Sequence, residues 1–408
     1  MKRRNYDAGL LAIFLLAVIH LAEAQTLSEY TYNQINRAQE LIADNRSQEA
    51  ITRLEKLASR TKASDFEHAV VLQSLGYAYL GIDQYKSGAQ ALEKALDTNA
   101  LPMDVTANII YVLVQVHAGM DQHEPALGYI KHWFKLSEDP ANKLPDPKAE
   151  AYLLCANILA QLERYAEALP YAKQAIQRAE KPNKSWYQFL MALHYELEQY
   201  REVAGILETM IEYWPEDEAL WRQLSSIYIA LKEDKKALAA LELAYQRGML
   251  RDEKNLLNLA RLSSYIGVPE RGGRILKKSL KQGQVASNGK NWELLANLWT
   301  QAKEMDQAIE ALKRAAELKA DPKLYLRQVQ LNYEHGNWQG TIEAARQAVR
   351  RNDKNVVGQS YLLMGLAYME LDQMETARKN LMKAQKYKKS SRQATQWINY
   401  IDQLRVYE

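Results

Sequence analysis

A pattern of apolar and small residues recurs along this chain with a period of 34 residues. It is clearest in two consecutive segments, residues 184–217 and 218–251. In the second segment the pattern falls at positions 4, 7, 11, 20, 24 and 27, occupied by Trp221, Leu224, Tyr228, Ala237, Leu241 and Ala244. Spacings of three and four residues place side chains on one face of a helix. The pattern therefore predicts two short helices in every 34 residues.

The same register continues over most of the chain. Strong matches cover residues 69–102, 149–182, 289–321 and 358–391. Weaker matches cover residues 31–64, 107–140, 253–286 and 322–355. With the two clearest segments these make ten units, each burying its apolar face only against its neighbours. Such an array needs a cap, and residues 391–408 predict a final helix with Trp397, Ile398, Ile401 and Leu404 on one face.

The composition agrees with a helical array. Only 17 Gly and 10 Pro occur in 408 residues, too few for the many turns of a β-sandwich or barrel. The chain has 25 Tyr and 8 Trp but only 4 Phe, and most of the Tyr and Trp fall on positions that we expect to be buried. The single cysteine excludes a disulfide framework, and Cys155 falls on a core position at which we predict a structural thiol.

A helix–turn–helix of 34 residues with these positions apolar or small resembles the tetratricopeptide repeat, or TPR. The resemblance implies an all-α, TPR-type superhelical solenoid of about ten helix pairs with a C-terminal capping helix. We expect TPR units over residues 25–140 and 149–390 and the capping helix over residues 391–408. Between the two sets lie Pro140, Pro145 and Pro147. A long loop between repeats is the favoured interpretation of this stretch, and a break between domains is the alternative.

The first residues have the pattern of a secretory signal peptide. Lys2, Arg3 and Arg4 are followed by a largely apolar stretch over residues 8–21 and by a small-x-small site at residues 22–24. We expect residues 1–24 to be a signal peptide cleaved after Ala24, with an uncleaved anchor as the alternative. No later stretch is apolar enough to cross a membrane, so the mature chain is predicted to be periplasmic, without a transmembrane segment.

Motifs of catalysis and metal binding are missing from the sequence. It contains no HExxH, no GxGxxG, no P-loop and no GxSxG. The seven histidines form no close group with carboxylates, and the acidic residues fall mainly on helix positions that we expect to be solvated. We therefore predict a non-enzyme without cofactor or metal. An enzyme with a dispersed site is the alternative.

The TPR resemblance also suggests where a partner would bind. In TPR superhelices the first helix of each pair lines the concave groove, mainly through positions 2, 5, 9 and 12. Some TPR domains also hold a C-terminal carboxylate with a clamp of basic and amide residues at nearby positions, and this chain matches that clamp only in part. The groove and clamp positions together predict the following partner-binding residues in this chain: Asn157, Gln188, Arg222, Ser226, Lys254, Asn258, Arg261, Lys290 and Asn297. Amide and guanidinium groups can hydrogen-bond to an extended peptide. An ordinary solvated face is the alternative.

Charge is distributed unevenly although the net charge is only +3. Residues 25–200 carry 17 basic and 22 acidic residues, whereas residues 201–408 carry 33 and 26. A run without acidic residues contains Arg378, Lys379, Lys383, Lys386, Lys388, Lys389 and Arg392. The C-terminal half is thus suited to an acidic protein or an anionic membrane face, with a solvated helix pair as the alternative. We expect no nucleic-acid partner.

The order of features resembles the periplasmic TPR proteins of Gram-negative bacteria that are associated with TonB–ExbB–ExbD systems. The similarity lies in the signal peptide, the opening unit NRAQELIADNRSQEAITRLEKL and the following LGYAYLGIDQYKSGAQALEKAL. It implies a scaffold or adaptor that binds envelope proteins through its concave face, as a component or regulator of TonB-dependent uptake of iron-siderophore complexes. The alternative is a TPR scaffold in envelope polysaccharide secretion or cell-wall assembly.

Overall fold

The structure, a computed structural model, describes residues 27–61, 65–181 and 183–404. The predicted signal peptide, residues 1–24, lies outside these ranges. In them the chain forms 21 α-helices and one short 3-10 turn, without a β-strand. Twenty helices form ten consecutive pairs, and the last stands alone as a cap, as the sequence predicts. None of the described helices combines the length and the apolar character needed to cross a bilayer.

Contacts divide the described chain into two compact units that meet in sequence at Ile206 and Leu207. The helices of the first unit are α1 (Glu29–Ala43), α2 (Ser47–Arg60), α3 (Asp65–Leu80), α4 (Tyr85–Asp97), α5 (Met103–Gly119), α6 (His123–Glu138), α7 (Ala149–Gln161), α8 (Tyr165–Arg178) and α9 (Lys184–Glu196). Helix α10 (Tyr200–Tyr213) contains the division itself. The predicted domain limits, 25–140 and 149–390, remain predictions.

The second unit continues the same alternation of first and second helices. Its helices are α11 (Glu218–Ala230), α12 (Asp234–Gln246), α13 (Glu253–Tyr265), α14 (Pro269–Lys281), α15 (Gly289–Gln301), α16 (Met305–Lys319), α17 (Pro322–Glu334), α18 (Trp338–Arg350), α19 (Lys354–Glu370), α20 (Met374–Gln385) and α21 (Ser391–Leu404). The odd-numbered helices up to α19 are thus the first helices of their pairs.

Every turn within a pair is built in the same way. One residue of the turn has a positive φ, and these residues are Asn45, Asp83, Asp121, Glu163, Glu198, Lys232, Gly267, Lys303, Gly336 and Asp372. The N–H of the next residue then donates to a carbonyl five residues earlier, as Glu233 does to Tyr228 at 2.8 Å. This is the hydrogen bond of a Schellman motif, which satisfies a carbonyl at the end of the first helix. Only two of the ten left-handed residues are glycine.

Small residues let the two helices of a pair approach closely. A Cβ atom added at Gly272 in α14 would lie 2.7 Å from the carbonyl oxygen of Ala260 in α13. At Gly76 in α3 it would lie 2.6 Å from the Leu92 side chain of α4. Both contacts are shorter than van der Waals distances allow. Gly76 and Gly272 occupy positions 8 and 20 of their repeats, and small residues at these positions therefore allow the two helices to cross closely.

Some aromatic side chains on the predicted core positions are buried, among them Trp221, Tyr228, Trp299 and Tyr368, but most aromatic side chains of the described residues are half-buried or exposed, so the prediction is confirmed only in part. Trp299 and Trp221 are 2% and 6% exposed, and the indole N–H of Trp221 donates to the carbonyl of Pro215 at 2.9 Å. Trp292 is half-buried, and its indole N–H donates to the hydroxyl of Ser287, 2.8 Å away. Cys155 is fully buried, which confirms its predicted place in the core.

A long linker, residues 139–148, joins α6 to α7 and contains the 3-10 turn Pro140–Asn142. The carboxylate of Asp139 caps this turn by accepting from the N–H of Ala141 at 2.9 Å. Aromatic packing continues past the linker, since the ring of Phe134 in α6 lies 4.8 Å from that of Tyr152 in α7. The apolar core of the first unit therefore includes residues from both sides of the proline-containing stretch.

The capping helix α21 forms as predicted, but its buried face differs from the predicted one. Ala394, Ile398 and Ile401 are buried, whereas Trp397 and Leu404 are 39% and 38% exposed. The reason is helical geometry: the buried row follows spacings of four and three residues, and Trp397 and Leu404 lie beside this row. The prediction that both residues belong to the buried face is therefore wrong.

Candidate protein-binding face

All nine residues predicted from the groove positions lie on first helices. The placements are Asn157 on α7, Gln188 on α9, Arg222 and Ser226 on α11, Lys254, Asn258 and Arg261 on α13, and Lys290 and Asn297 on α15. Asn297 is half-buried and the other eight are exposed. Asn157 and Gln188 belong to the first unit and the remaining seven to the second. Their role as binding residues remains a prediction.

The burial of each first helix defines which side stays open. In α15, positions 3, 7 and 10 are Asn291, Leu295 and Leu298, and all three are buried. Because a helix turns by about 100° per residue, positions 2, 6, 9 and 13 form the neighbouring stripe. We call these four positions the first-helix face. In α13 they hold Lys254, Asn258, Arg261 and Tyr265, all exposed.

Several of the predicted residues make hydrogen bonds within their own helix. The side-chain amide of Asn157 donates to the carbonyl of Leu153 at 2.9 Å, and the hydroxyl of Ser226 donates to the carbonyl of Arg222 at 3.0 Å. The guanidinium of Arg261 donates to the side-chain oxygen of Asn258 at 3.4 Å. These local bonds hold the side chains against the helix surface while the side chains stay accessible to solvent.

Two buried asparagines connect successive first helices of the second unit. Asn291 in α15 donates to the carboxylate of Glu253 in α13 at 2.7 Å and to the carbonyl of Ala286 at 2.8 Å. One pair earlier, Asn255 in α13 donates to Glu218 in α11. In both cases a glutamate at position 1 meets an asparagine at position 3 of the next first helix. These bonds were not predicted from the sequence, because the acidic residues fall on helix positions that were expected to be solvated.

The carboxylates next to the face are occupied by partners. Glu218 also interacts with the guanidinium of Arg222 at 3.4 Å, and Glu293 accepts from the Lys319 ammonium group at 2.6 Å. By contrast, Lys254, Lys290 and Lys323 are exposed, and among the described residues no acidic group pairs with them within 4 Å. Three successive first helices, α13, α15 and α17, thus each carry an unpaired lysine at position 2.

The basic run near the C terminus is partly used within the protein. Arg378 in α20 forms a two-point ion pair with Asp402 in α21, at 2.7 and 3.0 Å, and this hydrogen bonding raises the pKa of the Arg378 guanidinium. The ammonium group of Lys383 lies 5.3 Å from the ring centre of Tyr361. Five residues are exposed and form no ion pair or cation–π contact within the described part of the chain: Lys379, Lys386, Lys388, Lys389 and Arg392. Arg378 therefore fastens the cap to α20.

Buried titratable groups have structural partners. The ring of His117 lies between Glu93, 3.1 Å from Nε2, and Gln122, 2.7 Å from Nδ1. Tyr129 donates to the same Glu93 at 3.1 Å, and burial, reinforced by that carboxylate, raises the pKa of Tyr129 to about 12. Burial also raises the pKa of Cys155 to about 12. In the described ranges, no group of three His, Cys, Asp or Glu residues could hold a metal ion.

Comparison with known proteins identifies the repeat. The family model described as tetratricopeptide repeat matches residues 149–182 and 358–391, which are the pairs α7–α8 and α19–α20 and two of the units predicted above. The chain therefore contains tetratricopeptide repeats, in an all-helical array of ten pairs with a cap. Repeats of this kind are suited to protein binding. No curated protein shows significant sequence similarity to the chain.

Solved structures of TPR proteins are similar to parts of it. A tetratricopeptide repeat protein from Parabacteroides merdae is 17% identical, with a TM-score of 0.36, over 66% of this chain and 98% of that one. The C-terminal part of a TPR protein from Cytophaga hutchinsonii is 13% identical, with a TM-score of 0.35, over 71% and 97%. YrrB, described as a TPR protein with an unusual peptide-binding site, is 16% identical, with a TM-score of 0.33, over 47% and 97%.

Proposed function

We propose that the protein is a periplasmic scaffold that binds envelope proteins through its first-helix face. The observation that carries the proposal is that first helices with buried apolar rows present open stripes of amide and basic side chains. Such stripes provide hydrogen-bond donors and acceptors without the buried titratable groups of a catalytic site. Two of the four positions of this face, 2 and 9, are among those that line the concave groove in TPR superhelices.

We further propose that the scaffold is a component or regulator of a TonB-dependent transport system. Support for the periplasmic location comes from the signal-peptide pattern of residues 1–24, and support for the system comes from the resemblance of the opening units to TPR proteins associated with TonB, ExbB and ExbD. No catalytic residue is part of this proposal, because the expected role is to bring partners together.

The location is tested first. Full-length protein is expressed in its native host, and the periplasmic fraction is released by osmotic shock. We expect the protein in that fraction, with a mass corresponding to a chain that starts at Gln25. Recovery in the cytoplasmic fraction with an intact N terminus would overturn the location, and recovery in the membrane fraction with residues 1–24 attached would indicate an uncleaved anchor.

Partner binding is tested by photo-crosslinking in intact cells. A photoreactive amino acid is placed at Asn258 on the first-helix face, and for comparison at Lys235 on the exposed side of α12. We expect crosslinks from position 258 to a TonB-system protein and none to that protein from position 235. Equal capture from both positions would contradict the face. Capture of polysaccharide-secretion or cell-wall proteins from position 258 would contradict the TonB assignment and leave the face in place.

A further inference from the structure

The first-helix face changes character along the second unit. In α13, α15 and α17 it carries one acidic side chain, Glu334, and five basic ones: Lys254, Arg261, Lys290, Lys323 and Arg327. In α19 and α21 five of the eight equivalent positions carry apolar or aromatic side chains, and the other three hold Gln359, Glu370 and Gln393; the five are Leu363, Leu366, Trp397, Tyr400 and Leu404. The equivalence of positions follows from the buried rows, because Ser360, Met364 and Ala367 in α19 repeat the burial of Ala394, Ile398 and Ile401 in α21.

The aromatic end is an exposed surface. Trp397, Tyr400 and Leu404 are 39%, 47% and 38% exposed, and the rings of Trp397 and Tyr400 meet edge to face with centres 5.8 Å apart. Their spacing of three and four residues makes one stripe along α21. Exposed aromatic side chains gathered in this way are typical of interaction surfaces.

The lysines at the basic end of the face have no ion-pair partner within 4 Å among the described residues. Of the carboxylates close to them in sequence, Glu253 and Glu293 accept from Asn291 and Lys319 at 2.7 and 2.6 Å. Asp252 and Asp321 cap α13 and α17 by accepting from backbone N–H groups at 2.9 Å. Lys254, Lys290 and Lys323 repeat at the first turn of three successive first helices and project from the exposed side. A row of cations without counter-charges favours a ligand with a matching series of carboxylates.

From this polarity we propose that the first-helix face of α13 to α21 binds one protein segment that is acidic at one end and apolar at the other. Its carboxylates lie over the lysine row of α13, α15 and α17, and its apolar side chains lie on α19 and on the stripe of α21. The inference rests on the proposed function, since it specifies the chemistry of the partner that the scaffold takes. The change of character along the face also fixes the direction in which the segment lies.

A synthetic peptide tests the inference. The probe is a fluorescein-labelled peptide in which a tract of Asp and Glu is followed by Leu and Trp. The controls are the acidic tract alone, the apolar part after a Ser-Gly tract, and the apolar part after a Lys tract. Binding is measured by fluorescence anisotropy on the full mature chain. We expect the complete probe to bind at least about tenfold more tightly than any control peptide, a difference of about 1.4 kcal/mol.

Two sets of substitutions separate the two ends. Lys254→Glu, Lys290→Glu and Lys323→Glu together should weaken the complete probe by about tenfold or more and remove most of the salt dependence of binding. Trp397→Ser, Tyr400→Ser and Leu404→Ser together should weaken it comparably while the salt dependence stays. The matched control is Lys235→Glu, Lys281→Glu and Lys313→Glu, which makes the same charge change on exposed positions of second helices and should leave binding unchanged. Circular dichroism confirms that each variant is folded.

Several outcomes would overturn the inference. These are failure of the complete probe to bind at millimolar concentration, an equal loss in the second-helix control, and equal binding of the acidic tract alone. Binding to phosphatidylglycerol vesicles in place of the probe, abolished by the same substitutions, would show that the surface recognises a membrane. If crosslinking at position 258 captures a partner without such a segment, this inference fails and the proposed function stands. If the probe behaves as expected but no envelope protein is captured, the proposed function fails instead.

Discussion

The side-chain amide of Asn291 donates to the carboxylate of Glu253 across 38 positions of sequence, at 2.7 Å. Asn291 is only 6% exposed, so replacing it with alanine leaves a half-buried carboxylate and the carbonyl of Ala286 without their donor. We expect Asn291→Ala to cost about 1–3 kcal/mol. Hydrogen exchange should show the loss locally, as faster exchange in α13 and α15. In Asn297→Ala, which removes a half-buried amide that forms no side-chain hydrogen bond with the described residues, the change should stay within about 0.5 kcal/mol.

The close crossing at Gly272 gives a second prediction. An alanine there would bring its Cβ to 2.7 Å from the backbone oxygen of Ala260, and backbone cannot move aside as a flexible side chain can. We expect Gly272→Ala to destabilise the protein by about 1–3 kcal/mol. Gly128→Ala in α6 is the matched control, because nothing lies within 4 Å of the added atom. The control should gain about 0.5–1 kcal/mol from helix propensity. A gain in thermal stability for both variants would show that the helices can separate at little cost.

In the turn between α11 and α12, we expect the introduction of a glycine to stabilise the protein. Lys232 has a φ of 59°, a conformation that L-residues adopt at a cost of about 1–2 kcal/mol. Lys232→Gly removes this conformational cost from the folded state. Only part of the gain appears as stability, because glycine also gains freedom in the unfolded chain. We expect a net stabilisation of about 0.5 kcal/mol, whereas Lys232→Val should destabilise because a branched Cβ is most strained in this region. Melting temperatures of the two variants and of the native protein test the prediction. It would be contradicted if both variants melted above, or both below, the native protein.

Cys155 provides a prediction about pH. Burial raises its pKa from an ordinary value of 9.0 to about 12, so the folded protein keeps the thiol neutral where the unfolded chain ionises it. The resulting stabilisation is fully present below pH 9 and is lost as the pH rises from 9 toward 12. The melting temperature of the native protein should therefore fall more steeply over pH 9–11 than that of Cys155→Ala. Parallel curves would contradict the prediction.

Thiol reactivity checks the same residue independently. At pH 8 the native protein should not react with a thiol reagent such as dithionitrobenzoate, because Cys155 is fully buried and protonated. After denaturation one thiol should react. A Ser226→Cys variant adds an exposed thiol on α11 and should react within the native state. Rapid labelling of the native protein without that substitution would show that the core around Cys155 opens.

The helix pairs and their cores followed from the sequence because they depend on local periodicity. Positions 7 and 8 of a first helix lie on its buried side in most pairs, although Arg37 at position 7 of the first pair is exposed, and the burial of Leu295 and Ala296 needed only the 34-residue register. The cap was predicted for the same reason. The error at Trp397 arose because an apolar side chain beside the buried row is indistinguishable from a member of it when composition alone is considered.

The polar contacts between pairs could not be predicted in the same way. Whether Asn255 faces water or a neighbour depends on how two first helices stack, and its partner Glu218 lies 37 positions away. The His117 contact with Glu93 is likewise set by packing between pairs. Periodicity identifies the stripe on which such a residue lies, but the stacking of one pair on the next decides which polar group it meets. For the candidate face, the helices and their exposed side could therefore be predicted from the sequence, whereas only the structure shows which charged side chains already have ion-pair partners.

The turns within pairs and the linkers between pairs differ in how much length they can vary. Turns within a pair share one hydrogen-bonded geometry, whereas linkers range from two residues at 320–321 to ten at 139–148. We therefore expect insertions to be tolerated in the linkers between helix pairs and to be destabilising in the turns within a pair. The linker at residues 139–148 is where an affinity tag or fluorescent domain can be inserted within the chain while every helix pair stays intact.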